Sequence, residues 1–252
     1  APDDALRLVR NIAVLAALIS VAILAVQFGI RSARISGMGL AGATDLMMLG
    51  FVWDSPLGTA AIWRCAGLIL VLAILIEGAV GIGASLIGVL LIAASFTQIG
   101  HALGNPRWIL ASLLTVHLLV AAFWIAALAP LWRIVEHRGG AILLHRFGKI
   151  ASVTVTVLVI VGVAFAWMMV GSITALFTTA HGWGLLGKIT FVSGLMSLAA
   201  YNNWRLVPAL EMGDAMAVPR LKRSIRMEVV ATILILIATA TLTSITTPPV
   251  NL

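Results

Sequence analysis

The chain has 252 residues, of which 62% are hydrophobic and 10% charged, and its mean hydropathy is +1.13. Soluble domains are about 45–50% apolar, so this composition excludes a soluble domain of useful size and predicts a single transmembrane domain over residues 1–252. The formal charge of +7 comes from basic residues that lie between apolar runs. That distribution argues against a nucleic-acid partner and is typical of loops that face anionic lipids.

Seven apolar runs are long enough to cross a hydrocarbon core about 30 Å thick, which needs roughly 20 helical residues. They are Asn11–Ile30, Ala60–Ile76, Ala79–His101, Trp108–Trp132, Phe147–Val170, Leu185–Trp204 and Met227–Ser244. The predicted fold is therefore all-α, a polytopic bundle of about seven membrane-spanning helices. The segment 31–59 is too polar to span, so we expect it at the periplasmic interface. Only Glu77 and Gly78 separate the second and third runs, which predicts a tight helical hairpin.

The distribution of basic residues predicts the topology, since Lys and Arg accumulate on cytoplasmic loops. If the seven runs alternate across the bilayer, one side holds 11 of the 16 basic residues. These eleven are Arg7, Arg10, Arg133, Arg138, Arg146, Lys149, Arg205, Arg220, Lys222, Arg223 and Arg226. The N-terminus and the loops 133–146 and 205–226 are therefore expected in the cytoplasm. The C-terminus, including Asn251, is expected outside.

Three of the five histidines fall toward the predicted outer face. His101 ends the third run, His117 lies in the outer half of the fourth, and His181 is in the predicted loop before the sixth. Ionisable residues inside a membrane are rare and usually face the bundle interior or a water-filled cavity. His137 and His145 fall on the basic cytoplasmic loop, where we interpret them as solvated side chains.

Six sequence blocks in order resemble the copper resistance protein D (CopD) family of inner-membrane proteins. They are GHALGN, HLLVAAFWIAALAPL, RFGKIA, TTAHGWGLLGK, NNWRLVPAL and LKRSIRMEV, and the resemblance extends from about Ala60 to the C-terminus. Family members usually have glycines after the tryptophan of the second block, where this chain has Ala126 and Ala127. Small residues still allow close helix packing. Family members also carry one more helix before the first run, with its own histidine, so we expect a missing N-terminal helix or an additional membrane subunit.

The resemblance implies a helical protein of the bacterial inner membrane that works with a periplasmic copper-binding protein and moves copper inward. It assigns His101, His117 and His181 as ligands of a copper ion, and imidazole suits that metal. The alternative for His117 is a packing histidine hydrogen-bonded to a neighbour such as Thr115. Helix arithmetic at 1.5 Å per residue places His101 and His117 about 10 Å apart in depth. One shared site and a relay of two sites both stay open.

Two other functions are compatible with histidines on membrane helices. Paired imidazoles also ligate haem iron in electron-transfer subunits, and the chain can be a structural subunit of a membrane complex. We predict no haem, because two haem ligands must lie at nearly the same depth. No nucleophile–base pair, phosphate loop or metalloprotease motif occurs, which argues against an enzyme that acts on a diffusible substrate.

Four further residues are expected to have structural roles. We expect Lys188 to extend toward the outer interface and Trp124 to pack inside the bundle. Asn202 and Asn203 are expected to cap the end of the sixth helix.

Overall fold

The structure is a computed structural model that describes residues 2–100, 104–137 and 139–244. Every regular element in these ranges is a helix, which confirms the predicted all-α class. The physical reason is that a backbone in hydrocarbon must satisfy its hydrogen bonds within the segment, and a helix does so.

Seven helical segments in the described part are long and apolar enough to cross a membrane, as predicted. They are Arg7–Ser36, Pro56–Leu75, Ala79–Gln98, Arg107–Ile134, Gly140–Val170, Ala180–Glu211 and Ala217–Thr243. The chain divides into two compact units, residues 1–115 and 116–252. The single transmembrane domain stays a prediction.

The first unit is built on three long helices and one short one. They are α1 (Pro2–Ser36), α2 (Leu46–Trp53), α3 (Pro56–Val71) and α4 (Ala79–Ser95). Turns of 3₁₀ helix cover Gly39–Thr44, Leu72–Leu75 and Phe96–Gln98. α1 therefore extends six residues into the segment 31–59, which was expected to lie outside the spans. The interfacial location of that segment stays a prediction.

α3 and α4 form the predicted hairpin. The two helices approach so closely that a β-carbon added at Gly67 would lie 2.7 Å from the carbonyl oxygen of Gly88. Arg64 joins α3 to both other long helices. Its Nε donates to Ser95 Oγ at 3.0 Å and its Nη1 donates to Gln27 Oε1 at 3.1 Å.

The second unit contains the C-terminal part of α5 (Arg107–Ile134) and five further helices. These are α6 (Gly140–Val170), α7 (Ile173–Thr178), α8 (Ala180–Tyr201), α9 (Val207–Glu211) and α10 (Ala217–Ser244). A π-helical turn, Asn202–Leu206, joins α8 to α9. The core is an apolar cluster of Trp124, Leu128, Val135, Leu144, Ala151, Leu206, Val207, Leu221 and Ile225. Trp124 therefore packs inside the bundle, as expected.

Several helices are longer than the apolar runs, and this corrects two histidine positions. His145 was expected in a loop, but it lies in the first turns of α6. His181 was also expected in a loop, but it is the second residue of α8. A hydropathy run ends where charged residues begin, whereas a helix continues as long as its backbone stays hydrogen-bonded.

Candidate metal centre

His117 lies within α5, where apolar residues surround it in sequence. The ring is half-buried, and its Nδ1 is buried without a hydrogen-bond partner among the residues that the structure describes. The ring faces α6, since a β-carbon added at Gly162 would lie 3.6 Å from the Cε1 atom of His117. Buried polar atoms are nearly always paired, so this orphan nitrogen is the first sign of a site.

The packing interpretation of His117 required a hydrogen-bonded neighbour. Thr115, the neighbour considered, instead donates its hydroxyl to the carbonyl of Ala111 at 2.8 Å. Nδ1 of His117 therefore carries either a lone pair that accepts no hydrogen bond or a proton that donates none in the described structure, depending on the tautomer. This arrangement leaves the nitrogen available to a ligand.

The positive charge of Lys188 acts on His117. This lysine lies eight residues into α8, is half-buried, and is within electrostatic range of the imidazole. No acidic side chain in the described ranges forms an ion pair with it. A lone ammonium at this position repels any cation bound at His117.

His181 is buried, with 7% of its surface exposed, and it already has an interaction within the protein. It follows Thr179, whose hydroxyl caps α8 by accepting from the backbone nitrogen of Gly182 at 3.0 Å. His117 contacts α6 at Gly162, eight residues before that helix ends at Val170. At 1.5 Å per residue, His117 lies roughly 12 Å deeper than this end of the second unit, where α8 begins.

The structure therefore does not bring His117 and His181 together. Among residues 2–100, 104–137 and 139–244, no three His, Cys, Asp or Glu side chains are placed to hold one metal ion. His101 lies outside the described residues, and its assignment as a ligand stays a prediction. The roles of His117 and His181 also stay predictions.

Sequence analysis missed one polar pair deep in the second unit. Asn202 Nδ2 donates to Glu228 Oε1 at 2.5 Å, and the two residues are 8% and 4% exposed. Asn202 was expected to cap a helix end, but the helix continues through the π-helical turn and buries it. The available signal was the acidic Glu228 at the start of the last apolar run.

Because seven helices of the described part are long and apolar enough to cross a bilayer, the chain is a multi-pass membrane protein. Residues 141–242 match the model of the CopD family, described as Copper resistance protein D. This confirms the resemblance for α6–α10, which carry His181, Lys188, Asn202 and Glu228. His101 and His117 lie before the matched range. No curated protein and no solved structure matches the chain.

Proposed function

We propose that this protein accepts copper at the periplasmic face of the inner membrane and moves it across the bilayer. The observation that carries the proposal is the buried Nδ1 of His117, which has no hydrogen-bond partner in the described part of the chain and lies inside an apolar helix. Residues 141–242 of the same chain match the copper resistance protein D family. Copper is the cargo in this proposal, and a periplasmic copper-binding protein is its donor.

The chemistry of His117 fits a copper ligand. A neutral imidazole offers a lone pair to copper in either oxidation state. An ionisable group within an apolar span is expensive to keep there unless it has a function. A cation bound at Nδ1 gives that nitrogen the partner that it otherwise lacks.

The sparse set of donors also fits a transported ion. Conduction needs binding that is strong enough to admit an ion and weak enough to release it. A closed cage of three or four ligands holds a metal permanently, whereas single imidazoles at different depths form successive weak sites. We therefore assign His117 and His181 to separate steps, with His101 as a further candidate ligand.

In the predicted orientation, the path begins on the periplasmic side, where a periplasmic donor can deliver copper. The excess of basic residues assigns the loops around 133–146 and 205–226 to the cytoplasm. The beginning of α8 with His181 then faces the periplasm, and His117 lies farther along the inward path.

Copper binding by purified full-length protein tests the proposal. The protein is loaded with copper(I) in detergent, separated from free metal, and analysed for copper per polypeptide. We expect His117→Ala to lose most of the bound copper while it keeps the helical circular dichroism of the wild type. The matched control is His137→Ala, since His137 lies outside the spans and its Nδ1 lies 3.0 Å from the carbonyl oxygen of Arg133 near the end of α5.

Equal copper content in the wild type and His117→Ala would make His117 a packing residue. Uptake of copper into proteoliposomes then tests movement across the bilayer. We expect uptake by the wild type and by His137→Ala, and its loss in His117→Ala. Copper that binds but never enters the vesicles would contradict transport.

A further inference from the structure

A cavity of about 290 Å³ lies inside the second unit, away from the end at which His181 is found. Its wall is mostly apolar, but polar side chains also line it, among them Ser152 and Asn203. Three polar lining side chains from different elements are more than nine-tenths buried: Trp124 of α5, Asn202 of the π-helical turn and Glu228 of α10. A polar group inside such a cavity requires a partner.

Glu228 is the only ionisable residue among the described residues that line the cavity. Its carboxyl accepts one hydrogen bond from Asn202 Nδ2, and no basic side chain in the described part forms an ion pair with it. Lys222, which lies on the same helix, forms its ion pair with Glu136 at 2.5 Å and lies above the ring of Trp132. A buried carboxylate without a counter-charge is unstable unless it binds a cation.

Asn202 supplies a second oxygen. An ionised carboxylate only accepts hydrogen bonds, so the amide must turn its Nδ2 toward Glu228. The amide oxygen, Oδ1, is then directed away from Glu228, and it is buried without a partner in the described structure. An oxygen of the Glu228 carboxylate and the amide oxygen of Asn202 are thus left to interact with a positive ligand.

The backbone beside this pair departs from a regular helix. Residues Asn202–Leu206 form a π-helical turn, in which the nitrogen of Val207 donates to the carbonyl of Asn202. Single π-helical turns occur frequently at functional sites. Interrupted membrane helices also line the ion sites of many secondary transporters.

We propose that Glu228 and Asn202 bind a small hard cation, either a proton or an alkali-metal ion, separately from copper at His117. Carboxylate and amide oxygens favour hard cations over copper(I), which favours sulfur ligands. The indole Nε1 of Trp124, also buried without a partner in the described part, donates to a water molecule that completes the ligand shell. This site does not depend on the copper function.

Thermal unfolding of the purified full-length protein in detergent tests the site. Unfolding is followed in sodium chloride and in choline chloride at equal ionic strength, and at several pH values. A bound alkali-metal ion raises the Tm of the wild type in a saturable, sodium-specific way. A bound proton makes the Tm depend on pH and leaves it insensitive to sodium. We expect Glu228→Gln to abolish a sodium response, or to reduce a pH response by the contribution of Glu228, and Glu77→Gln, at an exposed acid of the first unit, to preserve the response of the wild type.

A chemical probe on the wild type covers the case in which Glu228→Gln does not fold. Dicyclohexylcarbodiimide modifies protonated carboxyls in apolar surroundings, and mass spectrometry identifies the modified residue. We expect modification at Glu228 that slows as sodium concentration or pH rises. Equal responses in the wild type and Glu228→Gln, or a modification rate independent of both sodium and pH, would overturn the proposal.

Discussion

At the residue scale, the surroundings of His117 combine one neutral donor with one positive charge. The Nδ1 of His117 has no hydrogen-bond partner among the described residues, and the charge of Lys188 acts on the imidazole. Repulsion between two positive unit charges about 10 Å apart raises the free energy of the bound state by roughly 1–2 kcal/mol at an effective dielectric constant of about 20. Lys188 therefore weakens the binding of a cation at His117 and favours its release.

We predict that Lys188→Leu increases the affinity of the protein for copper(I) by about tenfold, because 1.4 kcal/mol corresponds to a factor of ten. Leucine keeps an apolar side chain, removes the charge and adds no copper ligand. Competition with a copper(I) chelator of known affinity measures the change. The matched control is Lys149→Leu, which removes an exposed lysine from α6. Equal affinities in the two variants would show that Lys188 does not act on the bound ion.

Sequence analysis singled out His117 as a candidate ligand but missed the Glu228–Asn202 pair. The reason is where these residues lie in the apolar runs. His117 stands inside an apolar run, where its cost in the membrane is obvious. Asn202 and Glu228 stand at the ends of apolar runs, where caps and headgroup contacts account for most polar residues. Only the packing of α10 against the π-helical turn shows that both are buried.

At the element scale, hydropathy predicted which segments are helical more accurately than where they end. The run Phe147–Val170 begins seven residues after α6 does, because His145 and Arg146 interrupt the apolar sequence but not the helix. The same effect placed His145 in a loop. Helix ends depend on caps such as Thr179 and on glycines of positive φ such as Gly139, which an average over residues does not detect.

The α3–α4 hairpin gives a prediction at this scale. Gly67 and Gly88 face each other, and a β-carbon on either meets the backbone of the other helix. Gly88→Ala should therefore separate the helices and lower the free energy of unfolding by about 1–3 kcal/mol. Denaturation in mixed detergent measures this change.

The matched control for the hairpin is Gly83→Ala in the same helix, because a β-carbon at Gly83 meets no atom within 4 Å. Alanine also has a higher helix propensity than glycine, so this variant should be as stable as the wild type or slightly more stable. Destabilisation of equal size in the two variants would show that the loss comes from the helix itself and not from the contact with α3.

At the scale of the whole molecule, composition and the apolar runs predicted an all-helical membrane protein with about seven spans. The described residues form helices only, and seven of these are long and apolar enough to cross a membrane. Composition is informative here because a helix that crosses a bilayer needs about 20 apolar residues and must satisfy its backbone hydrogen bonds within itself. Within the first unit, Arg10 lies 3.6 Å from Glu77, so the start of α1 and the α3–α4 connection share one end. This agrees with the alternation from which the topology was predicted.

The orientation in the membrane is the last prediction, and it rests on the excess of basic residues on one side. Two exposed positions of the second unit report on opposite sides: Met212, between α9 and α10, and Thr174 in α7. Because Cys65 is exposed, single cysteines are introduced in a Cys65→Ala background and treated with a membrane-impermeant maleimide on spheroplasts. We expect Thr174→Cys to react and Met212→Cys to react only after the membrane is permeabilised. The reverse pattern would place His181 on the cytoplasmic side and contradict the acceptance of copper from the periplasm, while leaving the seven helices unchanged.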